Sequence, residues 1–249
     1  MLDVHFRTAI GGGDFVLHRP VGNMDRQLGD LENELPQLDP GVTLVHGVDR
    51  RSSAHHRLLL AHLQNDRGAA IWIDAGDTAS TYALYELTSN HRLLQGIRIA
   101  RAWTAYQHYT LVQGALAHAS SRLRAIVVPN IRLLYDTDDL EEGEADWLFG
   151  ATLTVLVELG ETVGVPILLT TTRPPSDQLT TAADRVLEWE RTREGERFQG
   201  DTEETLLYRN RWWWQTTIPY WVELLGTAES VVEDRPSFSV TSQPAVVGF

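Results

Sequence analysis

The chain of 249 residues contains no cysteine and no lysine. The first absence excludes disulfides, thiolate zinc sites and cysteine nucleophiles. The second excludes a Schiff-base lysine and the lysine of a phosphate-binding loop, and makes all 21 basic residues Arg. No apolar run reaches the roughly eighteen residues of a membrane span. The start, Met1-Leu2-Asp3-Val4-His5, lacks the basic and apolar regions of a secretory signal, so a cytoplasmic protein without membrane contact is expected. There is no internal repeat and no low-complexity tract.

Acid is abundant. With 34 acidic residues against 21 basic ones the net charge is −13. Arg in place of Lys accords with a GC-rich genome. A dense carboxylate surface keeps a protein hydrated in molar salt, where long-range repulsion is screened. A halophilic archaeon is the expected source, and the acidity is then an adaptation to solvent rather than a sign of a basic partner.

Apolar runs predict buried strands over 42–46, 69–73, 97–100, 124–128 and 165–170. Between them, helical periodicity covers 55–64, 80–87, 106–119 and 145–159, and a short amphipathic helix is predicted over 31–38. The alternation predicts an α/β fold, a mostly parallel twisted sheet with helices on both faces. Residues 184–190, 205–209 and 212–225 follow as strands without intervening helices, which predicts antiparallel strands at the C-terminal edge. Three parts are expected: an arm over 1–28 with a Gly11-Gly12-Gly13 run, a core over 29–226 and a flexible tail over 227–249.

Three segments resemble the RecA/RadA recombinase family. Leu38-Asp39-Pro40-Gly41-Val42-Thr43-Leu44-Val45-His46-Gly47 is similar to the strand leading into its Walker A loop. Ile71-Trp72-Ile73-Asp74-Ala75-Gly76-Asp77-Thr78 is similar to I-D-T-E-G-T. Ile97-Arg98-Ile99-Ala100-Arg101-Ala102-Trp103-Thr104-Ala105-Tyr106-Gln107-His108 is similar to the archaeal and eukaryotic A-R-A-x-N-x-D-H-Q and is the most family-specific. The likeness runs from about residue 31 to about residue 225 and implies a RecA-like core.

Against that family the departures are large. Where G-x-x-x-x-G-K-[ST] cradles phosphates and Mg²⁺, this chain has Gly47-Val48-Asp49-Arg50-Arg51-Ser52-Ser53-Ala54. Ser52 stands for the second Gly, Ser53 for the Lys and Ala54 for the hydroxyl residue, while Arg50 or Arg51 offers a cation of another shape. The catalytic Glu falls at Gly76, with Asp77 one residue on. The Walker B Asp falls at Pro129, which cannot ligate metal. The resemblance therefore implies a pseudo-ATPase, with no catalytic residues, cofactor or metal.

Other candidate surfaces remain. The stretch Tyr135–Asp146, placed where the family's first DNA-binding loop falls, carries seven carboxylates and no cation and should repel DNA. The second loop, Thr172-Arg173-Pro174-Pro175-Ser176-Asp177, has one Arg. Arg209, Arg211, Trp212, Trp213 and Trp214 form an aromatic and basic stretch suited to stacking bases, to a protein contact, or simply to packing as a strand. Phe6-Arg7-Thr8-Ala9 resembles the F-x-x-A segment by which RadA-type recombinases add a strand to a neighbour's core, and Phe6 precedes Gly47 by a separation similar to the family's; the alternative is that Phe6 packs against this chain's own sheet. Adjacent His55 and His56 should face different sides of a helix, and the nine His do not converge on a metal. Asp74 with Asp77 suggests either a metal site or a folding role.

The reading is a non-catalytic RecA/RadA-like paralogue, acting as an accessory or regulator in DNA recombination and repair through protein contacts. Phe6 and Ala9 are expected to bind a RadA-type recombinase or another copy of this chain. The alternatives are a single-stranded nucleic-acid-binding module using Trp212 to Trp214, and a pseudo-ATPase scaffold regulating a process outside recombination. Direct DNA contact stays open.

Overall fold

A computed structural model describes residues 7–8, 35–141, 143–193, 195–201, 204–209 and 214–216. Ten strands form one sheet in the order β1-β4-β3-β5-β6-β2-β7-β8-β9-β10. They are β1 Arg7–Thr8, β2 Gly41–His46, β3 Ala69–Ala75, β4 Ile97–Ala102, β5 Leu123–Val128, β6 Pro166–Thr171, β7 Arg185–Arg191, β8 Gly195–Gln199, β9 Glu204–Arg209 and β10 Trp214–Thr216. The helices are α1 Ala54–Asn65, α2 Thr81–Leu87, α3 His91–Leu94, α4 Ala105–Ala115, α5 Glu144–Val163 and α6 Asp177–Ala182, with a 3₁₀ turn at Leu116–His118.

β4, β3, β5, β6, β2 and β7 are parallel, and β8, β9 and β10 continue the sheet by antiparallel pairing. The strand sequences are apolar because both faces are covered. Alternate residues point to opposite faces. Val45, Trp72 and Val127 join the core beneath α1, α2 and α3. Leu44, Ile71, Ile73, Ile126 and Val128 join the core beneath α4, α5 and α6.

Helix starts follow local chemistry. Ser80 caps α2 by accepting the Ala83 amide at 3.2 Å, and Thr104 caps α4 by accepting the Gln107 amide at 3.2 Å. Gln107 returns the bond, its Oε1 accepting the Trp103 amide at 2.9 Å.

Several sequence expectations change. Residues 35–38, the described part of the helix expected over 31–38, are not helical; Pro36 and Pro40 leave an extended entry to β2, and Leu35 and Leu38 pack on the core. The strand expected to begin the antiparallel edge, β7, lies parallel to β2. The reason is α6, a helix absent from the sequence reading, which carries the chain back so that β7 starts at the same end as β6. β8 is a further strand that the apolar pattern does not announce, and of the strand expected over 212–225 only residues 214–216 are described, as β10. The tail over 227–249 and the arm, apart from Arg7 and Thr8, lie outside the described residues. Among the described residues, no helix is long and apolar enough to cross a membrane.

Candidate functional site

β2 sits between β6 and β7. The chain leaves β2 toward β3 on one side and later returns across it to β7 on the other, so the loops after β2, β5 and β6 meet where the strand order reverses. In open α/β sheets this is where ligands bind. A crevice of about 310 Å³ opens there, lined by Arg50, Asn130, Arg132, Asp136, Thr171 and Arg173 among others.

Its arginines are engaged by the protein. Arg132 bonds Asp136 at 2.7 Å and Asp146 at 2.8 Å, and its guanidinium lies 4.5 Å above the Phe149 ring. Burial opposes the charge on Arg132, yet the two carboxylates hold its pKa above the ordinary value. Arg173 reaches Asp136 at 3.9 Å, and Arg50 Nη2 donates to the Gly76 carbonyl at 2.9 Å.

The loop from Gly47 to Ser53 is closed by its own atoms. Gly47 has φ +79°, and a Cβ there would lie 2.6 Å from the Trp189 carbonyl oxygen. The Ser52 amide donates to the Asp49 carbonyl at 2.8 Å, and the Arg51 amide donates to Asp49 Oδ1 at 3.1 Å. The Ala54 amide donates to Ser52 Oγ at 3.0 Å, with both residues buried. Three amides at the mouth of α1 are therefore already satisfied. Ser53 stands at the N-cap with no side-chain capping bond.

At the end of β3, buried Asp74 gathers four donors. Oδ1 accepts the Thr78 amide at 2.8 Å and the Thr78 hydroxyl at 2.6 Å; Oδ2 accepts the Ala79 amide at 3.2 Å and Arg101 Nε at 3.2 Å. Both oxygens are committed to holding the loop, which favours the folding role over a metal site. Arg101 continues to Asp77 Oδ1 at 3.1 Å and to the Ala79 carbonyl at 2.9 Å. Gly76 has φ +86°, and a Cβ there would fall 2.2 Å from Leu133 Cδ2 and 3.2 Å from Arg50 Nη2. Asp77 is itself left-handed at φ 59°. Pro129 is buried at the end of β5, and the following Asn130, at φ 50°, donates its amide to the Thr170 hydroxyl at 3.0 Å. Among the described residues, no group of three His, Asp or Glu is placed to hold a metal ion.

The positions singled out in the sequence separate into three groups. Gly47, Arg50, Arg51, Ser52, Ser53, Ala54, Gly76, Asp77 and Pro129 cluster at the ends of β2, β3 and β5. Arg209 ends β9 and is the Cα partner of Trp214 at the start of β10. Phe6, Ala9, Arg211, Trp212 and Trp213 lie outside the described residues, although Arg7 and Thr8 pair antiparallel with Ile99 and Arg98 on β4.

Other groups escaped sequence reasoning. His55 and His56 do not diverge; both are buried, with ring centroids 5.3 Å and 4.7 Å from that of Trp72. Burial first, then the neighbouring His56, pushes the His55 pKa well below 6.5. Burial lowers His56 to about 4, opposed by Asp74. His108 is lowered by burial to about 4 and meets Tyr135 Oη at 2.8 Å, which in turn meets Thr152 Oγ1 at 2.7 Å. Trp103 and Trp147 are exposed at 66% and 67%, which no periodicity announced, since tryptophans of this kind normally pack. Tyr106 bonds Glu144, joining the first turns of α4 and α5.

No family model matches this chain, and no curated protein matches it in sequence.

Proposed function

We propose that this chain is a non-catalytic protein of RecA/RadA type that works through protein contacts, as an accessory or regulator in DNA recombination and repair. The observation that carries the reading is the pairing of Arg7 and Thr8 with the edge of β4. These are the two middle residues of Phe6-Arg7-Thr8-Ala9, and the pairing is strand addition, in which main-chain bonds give affinity and flanking side chains give specificity. Without β1, β4 is a bare sheet edge, a template for another chain. Among the described residues two register pairs join the segment to β4. Main-chain pairing of this kind is open to exchange with the same segment of a second copy or of a RadA-type recombinase.

The site geometry supports the pseudo-ATPase half of this reading. The loop amides that would cradle phosphates are spent on Asp49 and Ser52. The position of the catalytic Glu is a left-handed Gly with no room for a side chain, and Pro129 offers no metal ligand.

The test is calorimetry of the full chain against a RadA-type recombinase in molar KCl, with sedimentation of the chain alone. Phe6→Ala is expected to abolish the heat of binding, or the self-association, while leaving the denaturation midpoint in place. Equal binding by Phe6→Ala, or no association of the native chain with either partner, overturns the reading.

A further inference from the structure

A second cavity, of about 270 Å³, lies on the other side of the β2–α1 loop, between α1 and the β7–β8 turn. Four arginines line it: Arg51 from the loop, Arg57 from α1, Arg191 at the end of β7 and Arg193 in the turn. Among the described residues one carboxylate does so, Glu196, which is buried and lies 3.7 Å from Arg57. That pair offsets one charge. Arg51, Arg191 and Arg193 have no carboxylate within ion-pair distance among the described residues.

Among the described residues, Arg101, Arg124, Arg132, Arg173 and Arg197 each meet at least one carboxylate, while Arg50, Arg67, Arg92, Arg98 and Arg122 do not; what sets Arg51, Arg191 and Arg193 apart is that they line one cavity. Arg51, Arg191 and Arg193 are exposed, so solvent screens their mutual repulsion, and three positive groups around one cavity favour an anionic occupant. Guanidinium forks match the oxygens of phosphate in paired hydrogen bonds. Ser53 adds a hydroxyl to the lining, while the Thr192 hydroxyl is engaged within the turn, where it accepts the Gly195 amide at 3.0 Å. The cavity falls just below the roughly 300–1,000 Å³ of sites that enclose a drug-sized molecule, so the group it takes in is small.

We infer that the cavity between α1 and the β7–β8 turn is a binding site for a phosphate-bearing anion, gripped by Arg51, Arg191 and Arg193. It differs in kind from a backbone phosphate cradle, because the Arg51, Ser52 and Ala54 amides are already bonded within the loop. It also stands apart from the proposed strand exchange, which uses the β1–β4 edge of the sheet.

The test is calorimetric titration of the full chain with inorganic tripolyphosphate, and separately with ATP, both without divalent metal and at one fixed chloride concentration. Saturable binding of tripolyphosphate is expected. The double variant Arg191→Gln/Arg193→Gln should weaken it at least tenfold, and Arg51→Gln, on a different element, should weaken it independently. Arg122→Gln, an exposed arginine outside the cavity, should leave it unchanged. Tighter binding of ATP than of tripolyphosphate, lost in the same variants, assigns the phosphate to a nucleotide; equal binding assigns it to the phosphate chain alone. No saturable binding of either probe, or equal loss in Arg122→Gln, overturns the inference.

Discussion

The Ser52 hydroxyl accepts the Ala54 amide at 3.0 Å, inside the loop that leads from β2 into α1. A glycine at position 52 would leave that amide for a ligand; the serine turns it inward. Ser52→Ala is therefore expected to destabilise the fold by roughly 1–3 kcal/mol, the cost of a buried donor left without an acceptor. A fall in the urea midpoint at unchanged slope is the readout. No change would mean that Ser52 is incidental to the closed loop.

Asp74 and Asp77 both touch Arg101, but their contributions should differ greatly. Asp74 is buried and accepts four donors, so Asp74→Ala is expected to cost roughly 3–5 kcal/mol. Asp77 is exposed, and Asp77→Ala should cost under about 1 kcal/mol. Similar losses in the two variants, measured by chemical denaturation, would contradict the assignment of Asp74 as the staple of this loop.

Gly76→Glu places the residue type of the resembled family at the end of β3. An L-residue in the left-handed region costs about 1–2 kcal/mol, and here the new side chain also displaces Leu133. The variant should be less stable and should gain no ATP hydrolysis, as followed by phosphate release. Measurable turnover would show that the site is closer to catalysis than its geometry implies.

Stability should fall in acid. In the unfolded chain the histidines take up protons near pH 6.5, whereas buried His56 and His108 do so only at about 4. Between those values the unfolded state binds more protons, so stability rises with pH up to about 6.5 and flattens above it. Urea midpoints from pH 4.5 to 7.5 measure the slope. His56→Gln, which keeps an acceptor for the Ser80 amide, should make it shallower; an unchanged slope would exonerate His56.

Much of the architecture was legible because burial on both faces writes continuous apolar strands. Val42 to His46 and Ile126 to Val128 need no partner to be recognised as such. The loop residues from Gly47 to Ala54 and the end of β3 were singled out together only through the resemblance to the RecA/RadA motifs, and the structure places them at neighbouring strand ends. The direction of β7 was not legible: it turns on α6, a six-residue helix too short for periodicity to reveal.

Residue chemistry alone determined what this protein lacks: no thiol and no lysine is available to any site, whatever the fold. It also determined the alternation of strand and helix, which is a local property of apolar spacing. Only the tertiary structure decided where the arginines gather. Arg51 and Arg191 are 140 positions apart in the chain, as 191 − 51 shows, yet they line one cavity because β7 lies beside β2. The same holds for His55 and His56, whose burial depends on Trp72 arriving from another strand. Spacing along a chain specifies neighbours within an element; contacts between elements depend on the sheet order, which no single segment encodes.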